Sequence, residues 1–236
     1  LNAGIIEDPF YEMNSLKCEW VENKWWLYRT TFRKPDLHGS VYKLVFQGID
    51  YDAMIYLNDQ LLGEHEGMYE PAVFDITEQF NACETFNLKV LIKHAPDEMG
   101  QIGYTSQTFT QKSRFNYKWD FGTRLVNLGL WQSVEIVAEE DYALDDLYVH
   151  SDVSDCGCGK ILVEGATREN VRQEEALRVK ASCSFNGQTV CEGEASVVHN
   201  AFQIELTVHD PQLWYPNGVG EQPLYDVVIE LLGDRK

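Results

Sequence analysis

The sequence predicts an all-β protein built from sandwich domains in tandem. Apolar and polar residues alternate with a period of two along many short runs, and turn signals separate these runs. Convincing helical periodicity is nearly absent. The chain has 236 residues, of which 44% are hydrophobic, enough for one large or two ordinary domains with real cores. Many short strands with turns between them are typical of β-sandwiches.

The alternation defines the candidate strands. In residues 87–93, Leu88, Val90 and Ile92 form the inward set, and the lysines between and after them face outwards. The same pattern recurs in the second half of the chain and near its end. The candidate strands are 26–33, 41–47, 53–58, 87–93, 134–138, 177–183, 204–208 and 225–231.

Two local signals predict how the chain turns. Asn186-Gly187 lies between two alternating runs and predicts a tight hairpin, because both residues tolerate positive φ. Asp8-Pro9, a capping residue followed by proline, predicts the start of one short helix.

The acidic stretch 139–146 separates a completed strand from a new one, so we predict a domain boundary near Ala143. The second domain, 144–236, then has the size of an immunoglobulin-like sandwich. The first domain, 1–143, is larger and contains a long irregular stretch at 95–116. Such a loop in a compact domain is usually functional.

The charge balance argues against nucleic acids and anionic membranes as partners. There are 19 Lys and Arg residues against 38 Asp and Glu residues, a formal net charge of −19. A nucleic-acid backbone or an anionic membrane surface would be repelled by this field, and no apolar run is long enough to span a membrane. Neutral ligands such as sugars are not disfavoured.

The cysteines favour packed, reduced thiols over a metal site or a disulfide framework. They are scattered, and no C-x-x-C pair occurs. Cys183 and Cys191 flank the Asn186-Gly187 turn and would pair only in a secreted protein. The scattered cysteines and the absence of an N-x-[ST] sequence leave the compartment open, but they favour the bacterial cytoplasm. The six are Cys18, Cys83, Cys156, Cys158, Cys183 and Cys191.

No complete catalytic centre is predicted. The G-x-S-x-G, phosphate-loop and H-E-x-x-H motifs are absent, and the six histidines lack metal-ligand spacing. The single G-x-G, at Gly218 and Gly220, is followed by Pro223 and interpreted as a turn. We therefore predict no metal, no cofactor and no catalytic residue in this chain.

The segment 113–131 is the most informative part of the sequence. It brings aromatic residues and two arginines close to a single carboxylate, Asp120. Aromatic rings can stack on the C–H face of a pyranose while charged groups bind its hydroxyls. The competing interpretation is a core Trp119 with an Arg–Asp salt bridge that fastens the loop. The residues alone leave both interpretations open.

Several segments together resemble glycoside hydrolase family 2, specifically its β-mannosidase branch. Residues 8–11 (DPFY) and 25–32 (WWLYRTTF) are similar to the family's opening segments, and 46–77 is similar to its central signature. Residues 118–131 (KWDFGTRLVNLGLW) resemble the W-D-W-G-P-R segment, and 213–225 (LWYPNGVGEQPLY) a motif near the end of the sandwich. The matches run in order over nearly the whole chain.

The resemblance implies a jelly-roll (galactose-binding-like) sandwich followed by an immunoglobulin-like sandwich, ahead of a catalytic barrel. In this family two barrel glutamates, about 5–5.5 Å apart, act as acid/base and nucleophile. The chain is expected to stop before that barrel and to lack the first strand of the jelly roll. It would therefore be inactive alone, and would share its carbohydrate with the barrel of the same chain.

The same resemblance gives four residues substrate-binding roles. It implies that Asp120 binds sugar hydroxyls in the barrel's mouth and that Trp119 is a wall of that pocket. Arg114 and Arg124 are assigned to orienting Asp120 or its loop. The chain departs from the family pattern at Phe121, where the family has tryptophan, and at Thr123, where it has proline. These departures leave open whether the substrate is a plain β-mannoside.

Two other functions fit the sequence. A free-standing carbohydrate-binding module or lectin would need a preformed sugar site and affinity without a barrel. A purely structural pair of sandwiches would use 119–122 only as a core loop.

Overall fold

The computed structural model describes residues 3–97, 109–120, 122–153, 157–169 and 176–233. It divides the chain into two compact units, Leu1–Ala138 and Glu139–Lys236. Strands dominate the described part of both units, which confirms the predicted all-β class. The boundary predicted near Ala143 lies just inside the second unit and stays a prediction.

The first unit contains two larger antiparallel sheets and one short strand pair. The sheet orders are β1-β7-β4-β5, β6-β2-β9 and β3-β8. The short pair aligns Ile49 with Leu130 and Asp50 with Gly129, so it joins the beginning of the 46–77 segment to the end of the 113–131 segment. The strands are β1 (Trp26–Arg33), β2 (Val41–Phe46), β3 (Ile49–Asp50), β4 (Asp52–Leu57), β5 (Gln60–Glu66), β6 (Ala72–Asp75), β7 (Thr85–Ile92), β8 (Gly129–Leu130) and β9 (Val134–Glu139).

Period-two alternation builds the core of this unit. On β7, the predicted inward residues Leu88, Val90 and Ile92 are buried, and Phe86 extends the same face. Strands β2 and β4 contribute their alternate residues to the same cluster. On the other face of β7, Lys89 reaches out to pair with Asp59. The buried face supplies the hydrophobic stabilisation of the unit.

The second unit is a sandwich of two three-stranded sheets, ordered β10-β11-β14 and β13-β12-β15. Its core lies between the inward residues of these sheets, with Val163, Val179 and Ala181 fully buried. The strands are β10 (Tyr142–Val153), β11 (Gly159–Glu169), β12 (Arg178–Phe185), β13 (Gln188–Ser196), β14 (Ala201–Val208) and β15 (Asp226–Leu232).

The predicted hairpin is confirmed, and the predicted helix is wrong. Asn186 and Gly187 have φ values of 51° and 76° and join β12 to β13. At Asp8, the carboxylate accepts a hydrogen bond from the amide of Phe10 at 2.9 Å and closes a turn instead of starting a helix. Two short 3₁₀ helices, Asn14–Lys17 and Glu19–Asn23, follow. The sequence pattern does not indicate the only described α-helix, α1 (Thr77–Ala82).

The cysteines of the described residues are free thiols. Cys183 and Cys191 lie directly opposite each other on β12 and β13. Burial is the main cause that raises the pKa of Cys183, to about 11. Cys156 lies outside the described residues, as does 98–108 of the predicted irregular stretch 95–116.

Candidate functional site

The first part of the 113–131 segment packs into a small buried cluster of the first unit. A 3₁₀ helix at Phe115–Tyr117 turns the side chain of Tyr117 inwards, where 2% of the residue is exposed. Its hydroxyl donates to the carbonyl of Pro96 at 2.9 Å. Ala95 and Val126 complete the cluster. Tyr117 therefore fixes the segment just before Trp119.

The described part of residues 118–124, here called the Trp119 loop, forms a tight turn. The backbone amides of Trp119 and Gly122 each donate to the other's carbonyl, at 3.2 and 3.3 Å. Trp119 is half-buried and Asp120 is exposed; Phe121 lies outside the described residues. Lys118 has φ 109° and ψ 144°, a conformation that favours glycine. The turn thus presents the Asp120 carboxylate to solvent from a strained backbone.

Arg124 ties the end of this loop to the N-terminal segment. Its Nε donates to both carboxylate oxygens of Glu22, at 2.9 and 3.2 Å, and its Nη2 donates to Oε1 at 2.5 Å. Its Nη1 donates back to the carbonyl of Tyr117 at 3.2 Å, and the guanidinium lies 5.2 Å from the Tyr117 ring centroid. The Glu22 side chain is only 10% exposed. This bidentate geometry is the strongest form of the arginine–carboxylate contact.

A second ion pair lies where the segment begins. Lys112 and Asp50 are paired with side chains only 1% and 2% exposed. The Nζ of Lys112 also donates to the carbonyl of Asn127 at 2.7 Å, whereas Oδ2 of Asp50 has no hydrogen-bond partner among the described residues. Burial raises the pKa of Asp50 and lowers that of Lys112; their mutual attraction only partly opposes both shifts. Burial of this pair therefore costs free energy, because both charges are removed from water.

The four predicted residues lie on one segment, but their contacts differ. Arg114 Nη2 donates to the carbonyl of Thr110 at 2.9 Å, which holds the chain before the 3₁₀ helix. Arg124 contacts the Glu22 carboxylate and the Tyr117 carbonyl. The substrate-binding roles of Trp119, Asp120, Arg114 and Arg124 stay predictions.

A cavity of about 570 Å³ lies beside this loop in the first unit. One wall comes from the N-terminal segment and the other from residues 116–128. Thr123, at which the chain departs from the family pattern, lines this cavity. Other lining residues include Phe10, Glu19, Glu22, Asn116 and Asn127.

Sequence reasoning missed Glu22, Asp50 and Lys112. Glu22 lies 102 positions from Arg124, and Asp50 lies 62 positions from Lys112. A charge in such a pair resembles any surface charge in the sequence, because its burial depends on contacts far along the chain. One usable signal is that Asp50 stands between two apolar residues, Ile49 and Tyr51.

Other kinds of site receive no support from the described residues. None of their His, Cys, Asp and Glu side chains gather in groups of three or more that could hold a metal ion. None of the helices among them is long and apolar enough to cross a membrane.

Comparison with known proteins finds relatives over nearly the whole chain. Beta-mannosidase B of Emericella nidulans is 28% identical over 244 residues, which cover 97% of this chain and 29% of that protein. The corresponding enzyme of Thermothelomyces thermophilus is also 28% identical, with 97% and 28% covered. This chain therefore spans less than a third of the length of these relatives.

Solved structures agree on the fold. The crystal structure of the β-D-mannosidase of Dictyoglomus thermophilum matches with a TM-score of 0.82 and 27% identity, covering 98% of this chain and 30% of that one. A β-glucuronidase of Bifidobacterium dentium matches with a TM-score of 0.63 at 20% identity, covering 89% and 37%, which bears on the fold alone.

Two family models match in order. The model of the glycosyl hydrolase 2 galactose-binding domain-like family covers residues 1–132, and that of glycosyl hydrolases family 2 covers 142–236. Together they account for both compact units, and they confirm the jelly-roll-like and immunoglobulin-like pair implied by the resemblance. The chain belongs to glycosyl hydrolase family 2 and is homologous to part of its β-mannosidases.

Proposed function

We propose that this chain is the non-catalytic N-terminal region of a β-mannosidase-like hydrolase that cleaves terminal β-glycosidic bonds with retention. In this role it completes the sugar pocket with Trp119 and Asp120 and braces the catalytic barrel. The observation that carries the proposal is the exposed Asp120 carboxylate at the tip of a turn closed by two backbone hydrogen bonds.

The chemistry of the tip fits a sugar. A carboxylate accepts hydrogen bonds from hydroxyl groups, and each such bond to a charged group contributes about 1.5–3 kcal/mol. The half-buried indole of Trp119 provides an apolar surface next to it. A tip without the opposite wall of the pocket would bind a simple sugar only weakly.

Exposed apolar side chains of the second unit support the bracing role. Trp214 is 57% exposed and Leu224 is 78% exposed, and both line a cavity of about 520 Å³ with Tyr215 and Val153. Contiguous apolar surface of this kind is typical of protein–protein contact. We assign it to contact with the rest of the enzyme.

The test is Asp120→Ala in the complete enzyme, with an aryl β-mannoside as substrate. We expect kcat/KM to fall about 10- to 100-fold, the equivalent of one charge-assisted bond, at an unchanged melting temperature. Glu19→Ala, which removes a carboxylate from the nearby cavity wall, is the matched control. Unchanged kinetics in Asp120→Ala would refute the pocket role.

Calorimetric titration of the 1–236 chain separates this proposal from a free-standing carbohydrate-binding module. Mannose and manno-oligosaccharides should give little heat if the pocket is shared with a barrel. Clear saturable heat that is lost in Asp120→Ala would favour the binding module.

A further inference from the structure

We propose that an extended segment from the rest of the enzyme pairs with the edge of β15 and completes the second unit as an added strand. Its alternate side chains, which must be apolar, would fill the cavity between β10 and β15. This inference rests on the proposed bracing role. It goes further because it names the kind of contact, which is addition of a strand to a sheet edge.

One side of the second sandwich is closed. Its sheets are ordered β10-β11-β14 and β13-β12-β15, so each sheet has two edge strands. Edge strands β13 and β14 pack tightly: a Cβ built on Gly193 of β13 would lie 2.9 Å from the Leu206 side chain and 3.1 Å from that of Ile204, both on β14. The other two edge strands, β10 and β15, both line the cavity of about 520 Å³.

The core-facing side of β10 is exposed at this cavity. Val149 lies directly opposite Val163 of β11, and opposite residues of paired strands point to the same face of a sheet. Val163 is fully buried, whereas Val149 is 43% exposed, and Val153 on the same face is 46% exposed. Val227 of β15 lines the cavity from the other sheet. Residues that alternation assigns to the core are therefore open to solvent on this side.

Strand β15 also offers a sheet edge for pairing. It pairs with β12 at 178–184 and is the last strand of its sheet among the described residues. In an antiparallel pair, alternate residues turn their N–H and C=O groups away from the partner, so about half of the β15 amides face this edge. Such a row of backbone groups is a template for another strand. An immunoglobulin-like sandwich has about seven strands, and six lie among the described residues of this unit.

One end of the cavity is formed by a loop that its own hydrogen bonds hold in place. The amide of Tyr215 donates to the carbonyl of Glu221 at 2.9 Å, and the side-chain amide of Gln222 donates to the carbonyl of Tyr215 at 3.0 Å. On this loop Trp214 is 57% exposed. An apolar surface on a fixed backbone loses little conformational entropy when an apolar partner binds.

The rest of the enzyme is the source that fits this cavity. The β-mannosidases to which this chain is homologous are more than three times as long as the part that matches it. A strand from the same polypeptide binds at a high effective concentration, because it is tethered. Its polar residues would alternate with the apolar ones and face solvent, as expected for a strand with one buried face.

Amide hydrogen exchange, measured by mass spectrometry, tests the proposal on the complete enzyme and on the 1–236 chain. We expect the edge amides of β15 to exchange about 100-fold more slowly in the complete enzyme. Strand β12, which is paired on both sides, is the internal reference and should be slow in both proteins. Equal exchange of β15 in the two proteins would overturn strand addition. So would exchange in the 1–236 chain that accelerates on dilution, because a second copy would then occupy the edge.

Val149→Asp places a charge where the added strand would lie. We expect it to accelerate the exchange of β15 about 10-fold in the complete enzyme, because a buried charge without a partner is costly, and to leave the 1–236 chain unchanged. Val190→Asp is the matched control: Val190 is also 43% exposed, but it lies on β13 and does not line the cavity. Equal effects of the two substitutions in the complete enzyme would contradict the proposal.

The outcomes separate this inference from the proposed function. If Val149→Asp lowers the melting temperature of the complete enzyme while β15 exchanges equally in both proteins, a surface packs on the cavity without adding a strand. The bracing role then stands, and this inference fails. If neither measurement responds, both fail. If β12 also exchanges fast in the 1–236 chain, the two variants of the complete enzyme decide the question alone.

Discussion

Gly48 and Trp131 are in such close contact that no larger residue fits at position 48. A Cβ built on Gly48 would lie 2.5 Å from the indole Nε1 of Trp131. That nitrogen donates to the carbonyl of Met68 at 2.9 Å, and the backbone amide of Trp131 donates to the carbonyl of Gly48 at 3.2 Å. The contact fastens the end of the 113–131 segment to the segment after β2.

Gly48→Ala should therefore displace the Trp131 indole and break its hydrogen bond to Met68. We expect the free energy of unfolding to fall by about 1–3 kcal/mol, the usual cost of overpacking, as measured by urea denaturation. In a Trp131→Ala background the space is vacant, so the same substitution should be nearly neutral. An equal cost in both backgrounds would show that the steric account is wrong.

Lys118→Gly should stabilise the first unit. At φ 109° the lysine is strained, by roughly 1–3 kcal/mol, and the added chain entropy of glycine offsets about 0.5–1 kcal/mol of the gain. We expect a net rise of about 1 kcal/mol in the free energy of unfolding. Lys24, also exposed and with an ordinary φ of −112°, is the matched control, and Lys24→Gly should destabilise. Similar effects at both positions would contradict the strain.

Loss of one partner of the buried Lys112–Asp50 pair should lower the free energy of unfolding strongly, whereas replacement of both partners by apolar residues should lower it far less. Lys112→Met leaves a buried carboxylate without its cation, so we expect a loss of about 3–5 kcal/mol in the free energy of unfolding. Asp50→Leu combined with Lys112→Met removes both charges and should be far less destabilising than the single change, or even stabilising. Denaturation of the two variants side by side distinguishes these outcomes; a double variant as unstable as the single one would contradict the desolvation argument.

The cost of Lys112→Met should depend on pH. Burial already raises the pKa of Asp50 above its ordinary 3.8, and removal of the lysine raises it further. A folded-state pKa above the unfolded value means that the folded state binds the proton more tightly, so stability falls as pH rises through that window. The variant should therefore be less destabilised in acid than at neutral pH. The doubly substituted chain, which lacks the carboxyl, serves as the pH control.

Cys183 should resist alkylation in the folded protein. Burial raises the pKa of its thiol to about 11, so only about one thiol in 10³ is ionised at pH 8, and the thiolate is the reactive form. Cys158 of the same unit is half-buried and should react first. Iodoacetamide labelling followed by peptide mass spectrometry compares the two, with the denatured chain as reference. Equal rates in the folded chain would contradict the burial of Cys183.

The strands could be predicted because their signal is local and repeated. The 26–33 run coincides with β1, and the 87–93 run overlaps β7 with the correct inward face. Helix α1 has only six residues, too few to show a helical period. The Asp8-Pro9 signal was misleading because an Asp side chain can cap a turn as well as a helix.

The candidate site could be predicted only where its residues are neighbours in the sequence. Trp119 and Asp120 stand together, so their grouping is visible without a structure. The partners of Arg124 and Lys112 come from other parts of the chain, and a pairing of single charges across such separations leaves no periodic pattern. The family resemblance identifies Trp119 and Asp120, whereas the ion-pair partners of Arg124 and Lys112 can be identified only in the folded chain.

The contact between Arg124 and Glu22 has a consequence for the order of folding. It closes a loop of 102 positions, whereas the turn at Asn186 and Gly187 closes over two residues. The chain-entropy cost of closure rises with loop length, so long-range contacts tend to form after local ones. We therefore expect hairpins such as β4–β5 to form early, and the contact between the Trp119 loop and the N-terminal segment to be among the last parts of the first unit to become ordered.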